Sequence, residues 1–195
     1  MTYRKQQAMK TRQRILDSAT KLFRADLYEK VTIQDIVREA GVSNGAFYAH
    51  FKSKEEVLNY ANIESENKYL VYYKKKLKIS NLAALEKLKA FSRQVLLIMA
   101  ENGPINFCLR MSYALRNPVT QISSYRPYFK ILEQLISDCR KAGVLKQDTN
   151  DNTIRDFIFY LHRGISIEWA IRGNLYPIDS KYFLIEEYID SVTEQ

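Results

Sequence analysis

Cysteine, glycine and proline are scarce in this 195-residue chain. It contains two cysteines, six glycines and four prolines. Cys108 and Cys139 lie far apart and outside any Cys/His pattern, so the sequence offers neither a disulfide framework nor a zinc site. So little glycine and proline disfavours a turn-rich sheet protein. The abundance of helix-forming residues instead predicts an all-α fold of about nine helices.

Long apolar runs are also missing. No stretch approaches the ~18 uninterrupted apolar residues of a membrane span. The polar, basic start MTYRKQQAMKTRQR is not followed by the apolar segment of a signal peptide. We therefore expect a cytoplasmic protein with no membrane partner. The formal net charge of +8 favours a polyanionic partner, although a lysine-rich surface alone would give the same balance.

Catalytic signatures are missing as well. The chain has two histidines and two cysteines, and it contains no GxSxG, P-loop, GxGxxG or HExxH motif. An enzyme would need an activated nucleophile, paired acids, a cofactor loop or metal ligands. The sequence therefore predicts no enzymatic activity, no cofactor and no metal.

Basic residues are concentrated at the amino end, ahead of the first acidic residue, Asp17. They are Arg4, Lys5, Lys10, Arg12 and Arg14. Such a basic arm could contact DNA phosphates or the minor groove, or it could remain a solvated tail. The arm leads into apolar residues that recur with a period of about 3.6, which predicts a helix with one buried face. These residues are Ile15, Leu16, Ala19, Leu22 and Phe23.

The next helix has clear start and stop signals. The segment TIQD at residues 32–35 is a capping box in which Asp35 replaces the usual glutamate, and Val31 and Ile36 occupy the two positions of a hydrophobic staple. Gly41 follows an apolar face of about two turns and tolerates the left-handed conformation that ends helices. The sequence therefore predicts a short helix of about eight residues that ends at Gly41.

The segment EAGVSNGAFYAHFKSKEE, residues 39–56, restarts a helix almost immediately. Ser43 is a suitable N-cap, and Phe47 and Phe51 lie one turn apart on the side that faces the core. The residues left on the opposite side are Asn44, Gly45 and Tyr48. Two short helices joined by a glycine corner predict a helix-turn-helix. SKEE at residues 53–56 then predicts a second capping box and a longer helix that runs towards Lys78.

Residues 11 to 60 resemble the DNA-binding domain of the TetR family of bacterial transcriptional regulators. The stretches RILDSATKLF, TIQDIVREAGVS and FYAHFKSKEEV, with the spacings between them, carry this resemblance. It implies a helix-turn-helix DNA-binding domain over residues 1–52, basic arm included, and a helical effector-binding and dimerisation domain over residues 53–195. It also implies a sequence-specific homodimer, a repressor that a small effector releases from a palindromic operator. An activator, or an architectural DNA-binding protein without a pocket, remains an alternative.

Elementary chemistry divides the candidate DNA-binding residues into two groups. Hydroxyls, imidazoles, ammonium groups and helix N-termini suit phosphates. The candidate phosphate contacts are Thr32, Ser43, Tyr48, His50 and Lys54. Base reading would fall to Asn44, whose amide can pair with adenine, while Gly45 permits close approach and Ala46 can meet a thymine methyl. Each residue also has an ordinary structural alternative, such as a helix cap, so the prediction depends on the whole set.

The remainder of the chain predicts further helices with no linker or repeat. They lie near Leu82 to Glu101, Ile105 to Arg116, Pro127 to Lys141, Thr153 to Arg172 and Ser180 to Val192. The last two carry apolar residues at alternating spacings of three and four, the pattern of packed helix pairs. The candidate dimer-interface residues are Ile154, Leu161, Ile178, Tyr182, Ile185 and Ile189. Periodicity alone also allows these apolar faces to be buried within their own chain. The family resemblance instead favours a four-helix bundle between two subunits.

The resemblance further implies a small-molecule pocket between two faces of these helices. The candidate effector-binding residues are Phe107, Arg110, Met111, Ile158, His162, Ile165 and Trp169. Apolar walls with few polar groups favour a hydrophobic or amphipathic effector. Arg110 or His162 could orient an acid or hydroxyl of that ligand. A single histidine on an apolar face is, however, more often a hydrogen-bonded core residue.

Overall fold

The computed structural model describes residues 3–26, 28–101, 103–104, 107–108, 111, 127–173 and 175–194, with only the backbone described at 24, 59 and 61–65. Within these ranges the chain forms eight α-helices, one π-helical turn and one 3-10 turn. The only pairing of extended backbone among them is an isolated antiparallel bridge between Leu145 and Thr193. The predicted all-α class is therefore confirmed.

The first helix, α1, spans Tyr3–Ala25 and includes the basic arm. Glutamine, alanine, methionine, lysine and arginine all favour helix, and neither glycine nor proline interrupts them. The arm is therefore helical from Tyr3 onward. Every residue from 3 to 10 is exposed, whereas Ile15, Ala19 and Phe23 on the later turns are buried.

Helices α2 (Ile33–Ala40) and α3 (Asn44–Tyr48) have the predicted caps. The Thr32 hydroxyl accepts a hydrogen bond from the Asp35 amide at 3.1 Å, and the Asp35 carboxylate accepts from the Thr32 amide at 2.9 Å. Gly41 ends α2 with φ of 60°. The Ser43 hydroxyl accepts from the Ala46 amide at 3.1 Å and begins α3. The helix-turn-helix is therefore set by local hydrogen bonds.

Helix α4 spans Lys54–Tyr72 and continues into a π-helical turn at Tyr73–Leu77. The Ser53 hydroxyl accepts from the Glu56 amide at 3.2 Å, as predicted. The Glu56 carboxylate, however, accepts from the Lys52 amide at 2.6 Å. In a standard capping box the Glu56 side chain would accept from the amide of the cap residue Ser53. Here it accepts from the amide one residue earlier. The predicted long helix is confirmed, except that its last turn widens.

Helices α1 to α3 and the start of α4 enclose the first of two cores. Its buried residues are Ile15, Leu16, Ala19, Phe23, Val31, Ile36, Val37, Ala40, Phe47, Phe51, Val57 and Leu58. The predicted stripe of α1 is confirmed, with Leu22 packed beside it. Because Val57 and Leu58 belong to α4, this long helix is anchored in the first core before it reaches the second.

Four further helices build the second core, and their bounds largely match the predictions. They are α5 (Ala84–Ala100), α6 (Pro127–Lys141), α7 (Asp151–Ile171) and α8 (Phe183–Ser191), with a 3-10 turn at Ile178–Lys181 before α8. Helix α7 begins two residues earlier than predicted because the Asn150 side chain caps it, accepting from the Asn152 amide at 2.9 Å. Most of the predicted helix Ile105 to Arg116 lies outside the described residues.

Candidate functional site

The corner between α2 and α3 presents polar residues beside a buried aromatic. Phe47 is fully buried, whereas the neighbouring Tyr48 is 57% exposed. Asn44 and Gly45 are also exposed at the start of α3. A Cβ atom added at Gly45 would meet only the Ser43 hydroxyl within 4 Å, at 3.9 Å. The fold itself therefore does not require glycine here, and the space beside its backbone is open to a partner.

Thr32 forms a compact polar cluster at the start of α2. Its hydroxyl donates to the Asp35 carboxylate at 2.6 Å, and Arg38 pairs with the same carboxyl group at 2.5 Å. Hydrogen bonds from the Thr32 side chain and amide, helped by Arg38, hold the pKa of Asp35 below its ordinary value. The amide and the hydroxyl of Thr32 therefore both donate to a carboxylate within the chain.

His50, which follows α3, is half-buried.

Lys54 has partners within its own domain. Its ammonium group donates to the carbonyls of Tyr28 and Val31 at 2.5 and 2.8 Å, and it lies 4.0 Å from the centre of the Tyr28 ring. These contacts tie the first turn of α4 to the connection between α1 and α2. Lys54 thus positions the helix-turn-helix within the domain, a role that the sequence did not predict.

Two arginines of the predicted arm also serve the fold. The Arg14 guanidinium donates to the Gly41 carbonyl at 3.1 Å and to the Ala40 carbonyl, which fixes α1 to the corner. The Arg12 guanidinium lies 3.6 Å from the centre of the Tyr60 ring. Counting charges along the sequence could not identify these roles, because the carbonyls and the ring approach only in the folded chain.

A second group of polar residues is enclosed in the C-terminal core. The His162 ring is fully buried; its Nε2 lies 2.8 Å from the Ser92 carbonyl and its Nδ1 lies 3.0 Å from the Tyr128 hydroxyl. A carbonyl only accepts hydrogen bonds, so in the neutral ring Nε2 carries the proton and Nδ1 accepts from Tyr128. Burial lowers the pKa of His162 to about 4, against the opposing effect of the Ser92 and Ile158 carbonyls.

Two more buried polar groups belong to residues that contact Tyr128 or His162. The buried Glu66 carboxylate of α4 accepts from the Tyr128 amide at 3.0 Å, at the start of α6. The Ser92 hydroxyl is buried and has no hydrogen-bond partner among the described residues. The sequence pattern suggested only His162. Glu66, Ser92 and Tyr128 were missed because each belongs to a different helix and meets the others only through packing.

The predicted effector-binding residues are brought into one core, as far as the structure describes them. Phe107, Ile158, Ile165 and Trp169 are buried members of the second core with His162, and Met111 packs against it half-buried. Arg110 lies outside the described residues. The indole Nε1 of Trp169 donates to the Tyr176 carbonyl at 3.1 Å. These residues belong to the same apolar core of the C-terminal helices in which His162 is buried.

The residues predicted for a dimer interface lie in or beside the chain's own core. Ile154, Ile178, Ile185 and Ile189 are at most 3% exposed, whereas Leu161 and Tyr182 are half-buried. These four isoleucines are therefore buried within the chain's own core, and the predicted dimer interface stays a prediction. Other apolar residues of the same two helices are exposed. They are Phe157, Tyr160, Ile167 and Ile171 on α7, and Phe183 and Leu184 on α8.

The described part of the chain also bears on the predicted absences of a metal site and of a membrane span. Among these residues, no group of three or more histidine, cysteine, aspartate or glutamate side chains could hold a metal ion. None of the helices described is long and apolar enough to cross a membrane. Cys108 is exposed and Cys139 is buried, and neither forms a disulfide.

Known proteins resemble this chain either over its amino-terminal part or over nearly its whole length. TtgW, an uncharacterised HTH-type transcriptional regulator of Pseudomonas putida, is 48% identical over 52 residues, which is 27% of this chain and only 39% of TtgW. The HTH-type transcriptional repressor DhaR of a Mycobacterium species is 22% identical over 188 residues, 94% of each chain. Crystalline FadR from Bacillus subtilis, a transcriptional regulator in complex with stearoyl-CoA, shares the fold with a TM-score of 0.70 at 21% identity, over 91% of this chain and 96% of FadR.

Family descriptions match two consecutive parts of the chain. The description of bacterial regulatory proteins of the tetR family matches residues 15–61. That of the C-terminal region of YsiA-like proteins matches residues 64–188, more than half of the chain. The second match begins within α4, the helix that both cores share. From the amino-terminal match and the one that follows it, we conclude that this chain belongs to the TetR family of bacterial regulatory proteins.

Proposed function

We propose that this protein is a homodimeric transcriptional repressor of the bacterial cytoplasm, which binds a palindromic operator and leaves it when a small effector binds. The observation that carries the proposal is the corner between α2 and α3, where Asn44, Gly45 and Tyr48 are exposed over a buried Phe47. The names of TtgW and DhaR, a regulator and a repressor, support it. The protein would have two domains, residues 1–52 and 53–195.

In this proposal the DNA contacts divide as their chemistry suggests. Ser43, Tyr48 and His50 would donate hydrogen bonds to phosphates, and Thr32 would do so once its hydroxyl is released from the Asp35 carboxylate. Asn44 would read a base, Gly45 would let the backbone approach, and Ala46 would meet a thymine methyl. Lys54 is bonded to two carbonyls, so it would contribute mainly by holding the start of α4 against the α1–α2 connection.

A homodimer would use the exposed apolar faces of α7 and α8. Phe157, Tyr160 and Ile171 are each more than half exposed and lie along one side of α7, and contiguous exposed apolar patches mark interaction sites. Phe157 also stacks on Tyr188 with ring centres 4.9 Å apart, which gives this face a rigid aromatic element. Leu161 and Tyr182, which are half-buried, would lie at its margin. Two copies joined here would present two α3 helices about 34 Å apart or a multiple of it.

The effector would enter the core around Phe107, Met111, Ile158, Ile165 and Trp169, with Arg110 as a further candidate. A histidine with a pKa near 4 is neutral at physiological pH, and Glu66 is already bonded to the Tyr128 amide. The described polar groups therefore suit an uncharged hydrogen-bonding group on a largely apolar molecule. FadR, which has the same fold, was solved with stearoyl-CoA, a ligand with a long apolar chain.

Release from DNA would follow from coupling through α4. This helix holds the α1–α2 connection through Lys54 at its first residue and bonds to Tyr128 through Glu66 in its second half. An effector that moves Tyr128 would therefore displace a helix that is anchored in both cores. Because coupling free energies are reciprocal, operator DNA must weaken effector binding by the same factor.

The first test is binding of the purified protein to DNA from upstream of its own gene. Fluorescence anisotropy across a salt series, with a scrambled duplex as control, separates selective from general binding. Selective binding that saturates at two chains per site supports the proposal. If genome-wide selection of bound fragments returns no preferred sequence, the proposal is wrong. Effector-dependent release then distinguishes a regulator from an architectural protein without a pocket.

A further inference from the structure

The first two turns of α1 form a positively charged surface whose residues are all exposed. All residues from 3 to 10 are exposed, and eight helical residues extend about 12 Å. Arg4, Lys5 and Lys10 lie in this segment, which we call the basic extension, and no acidic residue precedes Asp17. Ion pairing along the helix therefore cannot neutralise these three charges.

Most cations of the helix-turn-helix unit are used within the chain itself. Arg14 and Lys54 bond to carbonyls, and Arg12 lies over an aromatic ring. Lys21 pairs with Glu39 at 2.5 Å, and Arg38 pairs with Asp35 at the same distance. The candidate phosphate contacts Thr32, Ser43 and Tyr48 are uncharged. Strong DNA binding requires cations that release condensed counterions, so the corner alone provides few of them.

The basic extension is fixed beside this corner. Lys10 lies one turn before Arg14 on the same face of α1, and Arg14 contacts the Gly41 carbonyl at the corner. Lys5 lies about two turns before Arg12, on the face that contacts Tyr60. The charges therefore continue the two faces of α1 that touch the helix-turn-helix unit, about 6 to 11 Å beyond those contacts.

We propose that the basic extension, through Arg4, Lys5 and Lys10, contacts the DNA phosphates next to each half-site. This inference rests on the proposed function and adds a surface to it. The contacts would be independent of base sequence, because ammonium and guanidinium groups bind phosphates without reading bases. A membrane surface is a poorer partner, since Tyr3, Ala8 and Met9 are the only apolar residues of the segment and an interfacial helix needs an apolar face.

The test compares two variants of the full-length protein that lose the same charge. The first, R4Q/K5Q/K10Q, neutralises the basic extension. The control, K74Q/K75Q/K76Q, neutralises three exposed lysines of the π-helical turn in the other part of the chain. Glutamine favours helix about as well as lysine and arginine. Circular dichroism should therefore show that both variants keep the helix content of the wild type.

The readout is the slope of log affinity against log salt on operator and scrambled duplexes. We expect R4Q/K5Q/K10Q to bind both duplexes more weakly by the same factor. Each lost phosphate contact removes about 0.9 from the slope, and the complex contains two chains, so the slope should become shallower by about 2 to 5. The control variant should keep the wild-type slope.

Four results would overturn the inference. One is an unchanged slope in R4Q/K5Q/K10Q, and another is an equal loss in both variants, which would indicate a general effect of net charge. The third is binding to anionic lipid vesicles that R4Q/K5Q/K10Q loses while its DNA slope stays unchanged. Absence of DNA binding by the wild type is the fourth, and it alone would also overturn the proposed function.

Discussion

The two cores of this chain place their polar groups in opposite ways. In the N-terminal unit, Thr32 and Ser43 bond to amides three residues ahead, at exposed helix ends. In the C-terminal core, the His162 ring bonds to Tyr128 and Ser92, which lie 34 and 70 residues away. The first arrangement leaves side chains at the surface, where a partner can reach them. The second encloses them, so that any ligand must enter the core to meet them.

The loss of a polar group should therefore cost a different free energy in each region. A surface cap contributes about 1 kcal/mol and can be replaced with little effect on the rest of the domain. A buried polar group that loses its partner costs about 1–3 kcal/mol, and more if it becomes charged. The C-terminal core should therefore respond to changes of pH and of buried side chains more strongly than the N-terminal surface does.

The largest effect is expected for Phe47→Ala. Phe47 is fully buried in the first core, so its truncation should lower the free energy of unfolding of that core by about 3–5 kcal/mol. Hydrogen exchange should show that α1 to α3 lose protection while α5 to α8 keep theirs. The control Tyr48→Ala removes an exposed ring and should change stability little. Equal loss of protection in both cores would show that they do not behave as separate units.

A somewhat smaller effect is expected from the pH dependence of stability at His162. Its pKa is about 4 in the folded chain and about 6.5 when unfolded. Between these values the unfolded chain binds the extra proton, so this contribution is complete above pH 6.5 and is lost as pH falls towards 4, by about 3 kcal/mol in total. Chemical denaturation at several pH values measures it.

Two variants isolate this contribution. His162→Gln keeps a donor for the Ser92 carbonyl and an acceptor for Tyr128 but does not titrate, so its stability should fall less than that of the wild type between pH 6.5 and 4. His50→Gln removes the other histidine and should retain the wild-type behaviour. If His162→Gln and the wild type lose stability in parallel, the buried imidazole does not carry the pH dependence.

A base-specific effect is expected at the N-terminal surface. Asn44→Ala should relax the preference at one position of each half-site, with a loss of discrimination of about 1–3 kcal/mol. Tyr48→Phe removes a phosphate contact and should weaken binding to operator and scrambled DNA alike. Anisotropy on a set of single-base operator variants measures both. Asn44 would be rejected as a reader if its substitution weakened binding equally to every duplex.

The smallest effect is expected for the cap at the start of α3. Ser43→Ala removes the hydrogen bond to the Ala46 amide and should lower stability by about 1 kcal/mol. Ser43→Asp keeps an acceptor and should retain that stability, but it should bind DNA less well because it adds a negative charge near the phosphates. Thermal unfolding combined with anisotropy distinguishes the two effects. Equal DNA binding by the two variants would argue against a phosphate near Ser43.

Sequence reasoning succeeded wherever the structure depends on neighbours along the chain. The capping box at Thr32, the left-handed Gly41 and the cap at Ser43 were all predicted from short patterns and are confirmed. Helix α6 has the predicted bounds, Pro127–Lys141. These features require only local geometry and side chains within about one turn, so the sequence contains all the necessary information.

Periodicity does not identify which surface covers a buried face, so the predicted dimer interface stays a prediction. The spacing of Ile154, Ile185 and Ile189 correctly indicated a buried face, but the chain buries that face within itself. Apolar residues at helical spacing indicate that one face of a helix is buried, but they do not indicate which surface covers that face. Phe157, Tyr160 and Ile171 are apolar residues of the same helix that are exposed, and only the structure distinguishes them from the buried ones.

The sequence by itself determined the helical class, the helix ends of the N-terminal unit and the side chains that its corner exposes, because each follows from propensity, capping and the alternation of apolar residues. Only the tertiary structure decided that Arg14 and Lys54 bond to carbonyls and that His162 joins Tyr128 and Ser92. Those contacts join residues from separate helices. Their geometry depends on how whole helices pack, which no local pattern specifies.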